Sequence, residues 1–412
     1  MISFPIADLF SGAGGTSTGA VEAIEALGLK PELTAINHWP VAVATHEKNH
    51  PHARHLCACL DSLNPRELFA PGELKLLWAS PECTNHSAAR KNEHINDQSR
   101  ATAWCVTRWA EALLPDTILV ENVPPFVNWG PISKRGRRIA RRKGETFKAW
   151  LATLVSLGYT VEHRVLMAAD YGDPTTRRRL FVQAQRGRRK IVWPEPTHAK
   201  GGAGGLLPWV PAYDIIDFTL PAHSIFRRKK PLARKTLVRI AEGLKKHGNA
   251  IIIAMEHGGR TLPTSAPLPT VTTAKGGAFG VAYLLPQGGG GTLRPVTGPA
   301  PSVATDGAIA LVMEYYGNGK VRPLSEPLPT VTCHDRFALL MAQGGDIKFR
   351  MLRKHELAAA QGFRPDYEFT GNLSEITRQI GNAVPRRLAR ALVAAAVGQK
   401  GDVRHLAMKE AA

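Results

Sequence analysis

The sequence predicts an α/β fold built on a mostly parallel sheet covered on both faces. Three observations carry that expectation. Short apolar runs alternate with helix-like segments through the first half of the chain, the pattern of repeated strand–helix–strand units. The first run, IADLF at 6–10, passes into SGAGG and then a helical stretch, giving a strand, a glycine-rich turn and a helix. The length of 412 residues and 44% hydrophobic content allow a sizeable core, in two or three domains or in one large domain with an insertion.

The elements follow in order. TSTGAVEAIEALGL (16–29) reads as the first helix, LTAIN (33–37) as a strand and VAVATHEKN (41–49) as a helix. LKLLWAS (74–80) and TILVENV (117–123) are further strands. FKAWLATLVSLG (147–158) has the apolar spacing of an amphipathic helix and ends on Gly158. YTVEHRVLM (159–167) and RRLFVQAQ (178–185) are strands. Near residue 190 Pro and Gly become dense, and GGAGG at 201–205 marks a turn or linker. PLPTVTT (267–273) then returns as APSVATD (300–306) and PLPTVTC (327–333), each followed by an apolar run: GVAYLL, AIALVM and FALLMA. These are three similar β-rich units. Helical periodicity resumes in MLRKHELAAAQGF (351–363) and PRRLARALVAAAV (385–397). The expected division is therefore 1–190, 191–344 and 345–412, the last segment returning to the first.

Charge narrows the partners. There are 53 Lys and Arg against 34 Asp and Glu, a net charge of +19. Such an excess favours a polyanion. The cations cluster in KRGRRIARRK (134–143) and FRRKKPLARK (226–235), which suits phosphate contact. No stretch approaches the roughly 20 apolar residues of a membrane span. The N-terminus, MISFPIADLF, lacks a secretory pattern. Five cysteines (57, 59, 83, 105 and 333) are too few and scattered for a disulfide framework, and Cys57 and Cys59 lack zinc-site spacing. A reducing, cytosolic compartment follows.

Five stretches can carry chemistry. In DLFSGAGG (8–15) glycines let backbone approach a ligand, and the helix that follows offers unpaired N–H groups. The expected ligand carries an adenosine-like group, and a phosphate loop is disfavoured because no Gly-Lys-Ser/Thr follows. ASPECTNHS (79–87) puts Cys83 just beyond a strand, and ENV puts Glu121 at the end of another. In a parallel sheet ligands bind beyond the carboxyl ends of strands, so these groups should share one rim. DPTTRRRLFVQ (173–183) places Arg177 and Arg179 two apart, on one face of the chain as it enters a strand. Paired arginines suit phosphate or carboxylate binding. QIGNAVP (379–385) offers Asn382 to a ligand before a helix begun by Pro385.

In this order the motifs resemble those of the DNA (cytosine-5)-methyltransferases. DLFSGAGG is similar to their first cofactor motif. SPEC stands where a nucleophile motif, usually Pro-Cys-Gln, is found, and ENV matches as it stands. PTTRRR resembles Gln-x-Arg-x-Arg, RMLRKHELAAAQGF (350–363) the motif after the recognition domain, and QIGNAVP the last one. The resemblance covers about 1–190 and 345–412, and 191–344 falls where the family keeps its target-recognition domain.

What the resemblance implies is specific. The fold would be Rossmann-like, that of the class I S-adenosylmethionine-dependent methyltransferases, with a smaller β-rich recognition domain. The reaction would be methyl transfer from S-adenosyl-L-methionine to carbon 5 of cytosine in double-stranded DNA, with the base flipped out of the helix. Cys83 would attack carbon 6, Glu121 would hold the N3 edge, and Arg177 and Arg179 would orient the base. Phe10, Gly12, Ala13, Gly14, Gly15, Asn37, His38, Asp61 and Asn382 would face the cofactor. The chain would act as a monomer in a bacterial or phage-encoded restriction–modification setting, without metal or membrane. Four positions depart from the pattern: Glu82 replaces Pro, Thr84 and Thr175 replace Gln, and Asn37 replaces an acid. A carboxylate next to Cys83 disfavours the thiolate unless it points away or is paired. An RNA-directed relative, an exocyclic-amine methyltransferase and a non-catalytic DNA-binding relative remain as alternatives. The amine enzymes share only Ser-Pro of SPEC and leave Cys83, ENV and the arginines without a role. The threonines of the three repeats and the cations at 226–235 suit contacts to DNA backbone and groove edges.

Overall fold

The structure, a computed structural model, describes residues 1–81, 97–133, 137–247, 251–254, 261–263, 279–282, 309–314, 321–333, 337–343 and 346–398. The chain divides into two units. Unit 1 comprises Met1–Val210, Pro329–Cys333 and Ala358–Ala412, and unit 2 comprises Pro211–Leu328 and His334–Leu357.

Unit 1 is built on seven strands: β1 (Ser3–Leu9), β2 (Lys30–Asn37), β3 (Arg54–Cys57), β4 (Leu76–Ala79), β5 (Thr117–Asn122), β6 (Tyr159–Met167) and β7 (Arg178–Arg186). Their order across the sheet is β3-β2-β1-β4-β5-β7-β6. β1 to β5 run parallel, and β7 runs antiparallel to both β5 and β6. β4 and β5 are buried along their whole length, with apolar residues through β4 and at Ile118–Val120, as strands covered on two faces must be. Helices α1 (Gly15–Ala26), α2 (Pro40–Asn49), α3 (Asp97–Leu113) and α4 (Glu145–Ser156) accompany them. One face of the sheet packs Leu77, Ile118 and Val120 against Trp109, Trp150 and Leu154 of α3 and α4. The other packs Trp78, Leu119 and Phe181 against Ala23 and Ile24 of α1, and against Leu388 and Leu392 near the C-terminus. Alternation along each strand sorts its side chains between these two cores.

Unit 1 extends to Val210 rather than ending at 190. Residues past 190 belong to its core: Ile191 and Trp193 join the second apolar cluster, and Trp209 Nε1 donates to Asp170 Oδ1 at 3.0 Å.

In unit 2, five strands form an antiparallel sheet in the order His223–Ser224, Asp346–Met351, Phe337–Gln343, Ile309–Glu314 and Val321–Pro323. A smaller sheet holds Thr261–Pro263, Ile251–Ala254 and Phe279–Ala282. The strands Phe279–Ala282, Ile309–Glu314 and Phe337–Gln343 coincide with the apolar runs after the three repeats. The first two copies, 267–273 and 300–306, lie outside the described residues. Helix α5 (Arg234–His247) begins at the last two residues of the second basic cluster, and α6 (Lys354–Ala360) begins three residues after the strand that ends at Met351. The helix expected from Met351 therefore starts later. The delay has a cause: Arg350 is buried and clamps Glu356 with both guanidinium nitrogens at 2.7 and 2.8 Å, and Glu356 also accepts the Arg353 amide at 2.6 Å. This pair keeps the approach to α6 in unit 2 up to Leu357, past the boundary expected at 344.

Two more helices complete unit 1. α7 (Leu373–Asn382) opens with a reciprocal cap: Asn372 Oδ1 accepts the Ser374 and Glu375 amides, and Glu375 Oε2 accepts the Asn372 amide. α8 (Arg386–Val397) starts over Asp173, whose carboxylate accepts the Leu388 amide at 2.9 Å. No helix among the described residues is long and apolar enough to cross a membrane.

A buried polar layer ties α1, α2, β1 and β3 together. Ser17 Oγ donates to Asp8 Oδ2 at 2.6 Å and lies 2.8 Å from His46 Nε2. His46 Nδ1 meets His55 Nε2 at 2.8 Å, and His50 Nε2 meets Thr18 Oγ1 at 3.0 Å. Burial pushes the Asp8 carboxyl up to about 7 despite the Ser17 hydrogen bond. Burial, and then neighbouring histidines, hold His46 well below the usual imidazole range and lower His50 to about 4. Burial also lowers His55.

The signs give opposite pH dependences. Asp8 is raised above its unfolded value, so its stabilising effect is lost as pH climbs from about 4 through 7. His50 is depressed, so its effect is lost as pH falls from 6.5 through about 4. Thermal midpoints taken across pH 4–8 should show D8N gaining on the wild type up to pH 7, and H50Q gaining as pH drops below 6.5. Parallel curves for all three proteins would contradict both assignments. In unit 2, R350M strands the Glu356 carboxylate and should cost roughly 3–5 kcal/mol, read from urea unfolding.

Candidate active site

The ends of β1, β4 and β5 lie side by side. Leu9 pairs with Ala79, and Ala79 with Val120. The chain leaves each strand on the same rim, which carries the glycine turn at 10–15, Ser80–Pro81 and Glu121. The Ser80 amide donates to the Leu9 carbonyl at 3.1 Å. Asn122 Nδ2 donates to the Pro81 carbonyl at 3.2 Å, joining the ENV strand to the SPEC stretch. Cys83, Glu82 and Thr84 lie outside the described residues.

Glu121 is only 7% exposed, and its Oε1 lies 2.9 Å from Arg179 Nε. Arg179 also donates through Nη1 to the Arg178 carbonyl at 2.8 Å. The two arginines expected to act together separate here. Arg177 is 2% exposed, and its Nη1 donates to the Val331 carbonyl at 2.9 Å. Backbone explains the difference. Arg179 lies within β7 near Glu121, whereas Arg177 precedes the strand, its carbonyl accepting the Ala168 amide.

In the glycine turn, Phe10 adopts a left-handed conformation with φ of 64°, which a side chain rarely accepts. Such strain costs on the order of 1–3 kcal/mol and persists where the surroundings impose it. Here the Ser11 amide donates to the Ile36 carbonyl at 3.1 Å, and the Tyr367 hydroxyl donates to the Ala13 carbonyl. Gly12 and Gly14 are also left-handed, and Gly14 caps α1 without a side-chain hydrogen bond. No acidic residue lies in the first turn of α1. The QIGNAVP motif reaches this turn directly: a β-carbon on Gly15 would come within 2.5 Å of the Val384 carbonyl oxygen.

The other expected cofactor residues extend along the rim in sheet order. Asn37 ends β2, and its Oδ1 accepts the Trp39 amide at 2.9 Å. His38 is exposed. Arg378 of α7 lies 4.6 Å over the Trp39 ring, bringing the last motif beside the Asn37 turn. Asp61 lies in a short turn after β3, where the Cys105 thiol donates to its Oδ1 at 2.9 Å. Burial, followed by Asp61 itself, pushes that thiol up to about 12. An open cleft beside Asp61 is bounded by Arg66, Arg108 and Glu111, and no glycine-turn residue lines it. Asn382 ends α7, with its Oδ1 2.8 Å from Cys333 Sγ.

Several participants escaped the sequence. Tyr367, Cys105 and Cys333 touch expected site residues from distant parts of the chain, and no local pattern marks them. The histidines from α2 to β3 do carry a signal, since His46, His50 and His55 recur at short intervals in the sequence.

The sequence profile of the C-5 cytosine-specific DNA methylases matches residues 4–255 and 303–397. The type II methyltransferase M1.BsuMI of Bacillus subtilis is 30% identical over 197 residues, 45% of this chain and 43% of that protein. The type II methyltransferase M.AquIA of Picosynechococcus is 25% identical over 253 residues, 58% of this chain and 97% of that protein. The chain spans about half the length of the first three curated relatives it matches, 43%, 44% and 51%. Among solved structures, a prophage-encoded DNA modification methyltransferase from E. coli superposes with a TM-score of 0.51 at 17% identity, covering 95% of this chain and 98% of that one. At that identity the likeness concerns the fold, and it accords with the mostly parallel, Rossmann-like sheet. The family profile covers most of the chain and both sides of the variable middle, so this protein belongs to the C-5 cytosine-specific DNA methylase family.

Proposed function

We propose that the protein methylates carbon 5 of cytosine in double-stranded DNA, with S-adenosyl-L-methionine as methyl donor. The Arg179–Glu121 ion pair carries this proposal, because it places a guanidinium and a carboxylate together on the rim that the glycine turn and Pro81 also occupy. Cytosine has the matching edge: its exocyclic amine donates to a carboxyl oxygen, its N3 accepts a proton from the carboxyl, and its O2 accepts from a guanidinium. The alternative amine-methylating chemistry leaves this pair without a task.

The residues present fit the cofactor. Uncapped amides at the start of α1 suit a carboxylate, and the turn itself is backbone-lined. Phe10 offers a ring, Gly12, Ala13, Gly14 and Gly15 offer close backbone approach, and Asn37, His38, Asp61 and Asn382 offer polar groups at neighbouring positions. When bound, S-adenosylmethionine supplies an electrophilic methyl group on a positively charged sulfur.

The chain's own residues make carbon 5 reactive. Cys83 adds as thiolate to carbon 6, which turns the ring into an enamine-like nucleophile. Glu121 holds the N3 edge and limits the charge that builds on the ring, while Arg179 keeps Glu121 oriented and faces O2. Arg177 sets the start of β7. After transfer a base removes the carbon-5 proton, and the thiol leaves. Carbon 6 is inaccessible inside a stacked duplex, so the cytosine must be flipped out. Exposed cations, Arg137, Arg141 and Lys143 in unit 1 and Arg227–Lys230 in unit 2, suit the DNA backbone.

Bisulfite sequencing of DNA from cells expressing the protein should reveal carbon-5 methylation in one sequence context. C83S should abolish both methylation and trapping by a 5-fluorocytosine duplex while duplex binding survives. Methylation by C83S would exclude the covalent route, and methylation confined to RNA would favour the RNA-directed alternative. E121Q should slow transfer by roughly 10²–10⁴-fold in single-turnover assays, with cofactor affinity retained.

A further inference from the structure

The third repeat gives five residues, Pro329–Cys333, to unit 1, although the chain before and after them belongs to unit 2. Three side chains of unit 1 engage them. Thr175 Oγ1 donates to the Pro329 carbonyl at 3.1 Å. Arg177 Nη1 donates to the Val331 carbonyl at 2.9 Å. At the far end, the Cys333 thiol donates to Asn382 Oδ1 at 2.8 Å. Packing agrees with the hydrogen bonds: a β-carbon on Gly381 would lie 2.3 Å from the Thr332 carbonyl carbon, so only glycine lets α7 approach this segment. Thr175 and Arg177 are buried, at 0% and 2% exposure.

We propose that Pro329–Cys333 is a strap that positions the cofactor-facing Asn382 carboxamide, with Cys333, Thr175 and Arg177 as its positioning residues. This rests on the assignment of Asn382 to the cofactor site. Asn382 is exposed at the end of its helix, where a carboxamide can rotate freely. A thiol donor on Oδ1 selects one orientation and turns the two N–H bonds of Nδ2 outward, toward an acceptor on the ligand. The thiol keeps its proton, because burial raises it above the ordinary range against the opposing pull of Arg177, Arg378 and Arg179. The strap also accounts for Thr175. Where the family resemblance expects Gln, a short hydroxyl reaches the Pro329 carbonyl. Arg177, held on the Val331 carbonyl, is engaged by the strap, and Arg179 pairs with Glu121.

Calorimetric titration of the full chain with S-adenosylhomocysteine, paired with steady-state kinetics, tests this. C333A should weaken binding about three- to tenfold, the usual worth of one hydrogen bond. The KM for cofactor should rise by more than kcat falls. C333S restores a donor and should recover most of the affinity. T175V loosens the other end, so T175V/C333A should be no weaker than the worse single variant by more than about twofold, because both act through one segment. Wild-type affinity in C333A, or equal loss in C333S, would overturn the strap. Lack of binding by the wild-type protein would instead overturn the cofactor assignment beneath it.

Discussion

The register of three parallel strands governs the rest of the molecule. Leu9, Ala79 and Val120 stand level across β1, β4 and β5. A slip of one residue in any of them would send its side chains to the opposite core and move its exit from the rim. The level register lets one edge of the sheet carry a glycine turn, the chain leading to the candidate nucleophile and a buried carboxylate. Two hydrogen bonds lock those exits together, Ser80 to Leu9 and Asn122 to Pro81. The apolar layers on either side, with Trp109 and Trp150 on one face and Trp78 and Phe181 on the other, keep that register by leaving no room for another.

Beneath the glycine turn the protein retains polar groups that a simple core would exclude. Asp8 is almost wholly enclosed, and its Oδ1 has no hydrogen-bond partner among the described residues. An ionised carboxylate there would be costly, which is why burial raises Asp8 so far. Ser17 and three histidines extend the layer toward the surface at His55. With Phe10 held left-handed above it, the turn has a strained backbone over a tightly hydrogen-bonded floor. Such a combination fixes a loop in one shape, and a site that binds by backbone contact needs that rigidity.

Much of this was legible in the sequence, for identifiable reasons. Short apolar runs such as TILVEN are local signals, and this one became the expected strand. Glu121 and Arg179 could be placed on one rim because strand direction and alternation suffice for that. Contacts between distant segments were not legible. Cys333 and Asn382 are 49 positions apart, and Tyr367 is 354 positions from Ala13. Nothing in RRR distinguishes an arginine that meets a carboxylate from one that holds a backbone carbonyl. α6 starts later than the periodicity of 351–363 suggests because the strand runs to Met351, where Arg350 is buried against Glu356. Unit 1 runs past 190 because Ile191 and Trp193, which look like the opening of a linker, lie in its core.

The antiparallel direction of β7 also sorts charge. Arginines stand at and just beyond both its ends, at 177–179 and at 186, 188 and 189. Because it runs against β5, its beginning meets Glu121, and its finish meets Asp116 at the opposite margin, where Arg186 lies 2.8 Å from that carboxylate. Turned the other way, the same strand would bring its trailing cations to the Glu121 end and leave that carboxylate facing a different partner. Chain polarity, more than the count of arginines, thus decides which guanidinium meets Glu121 and which meets Asp116.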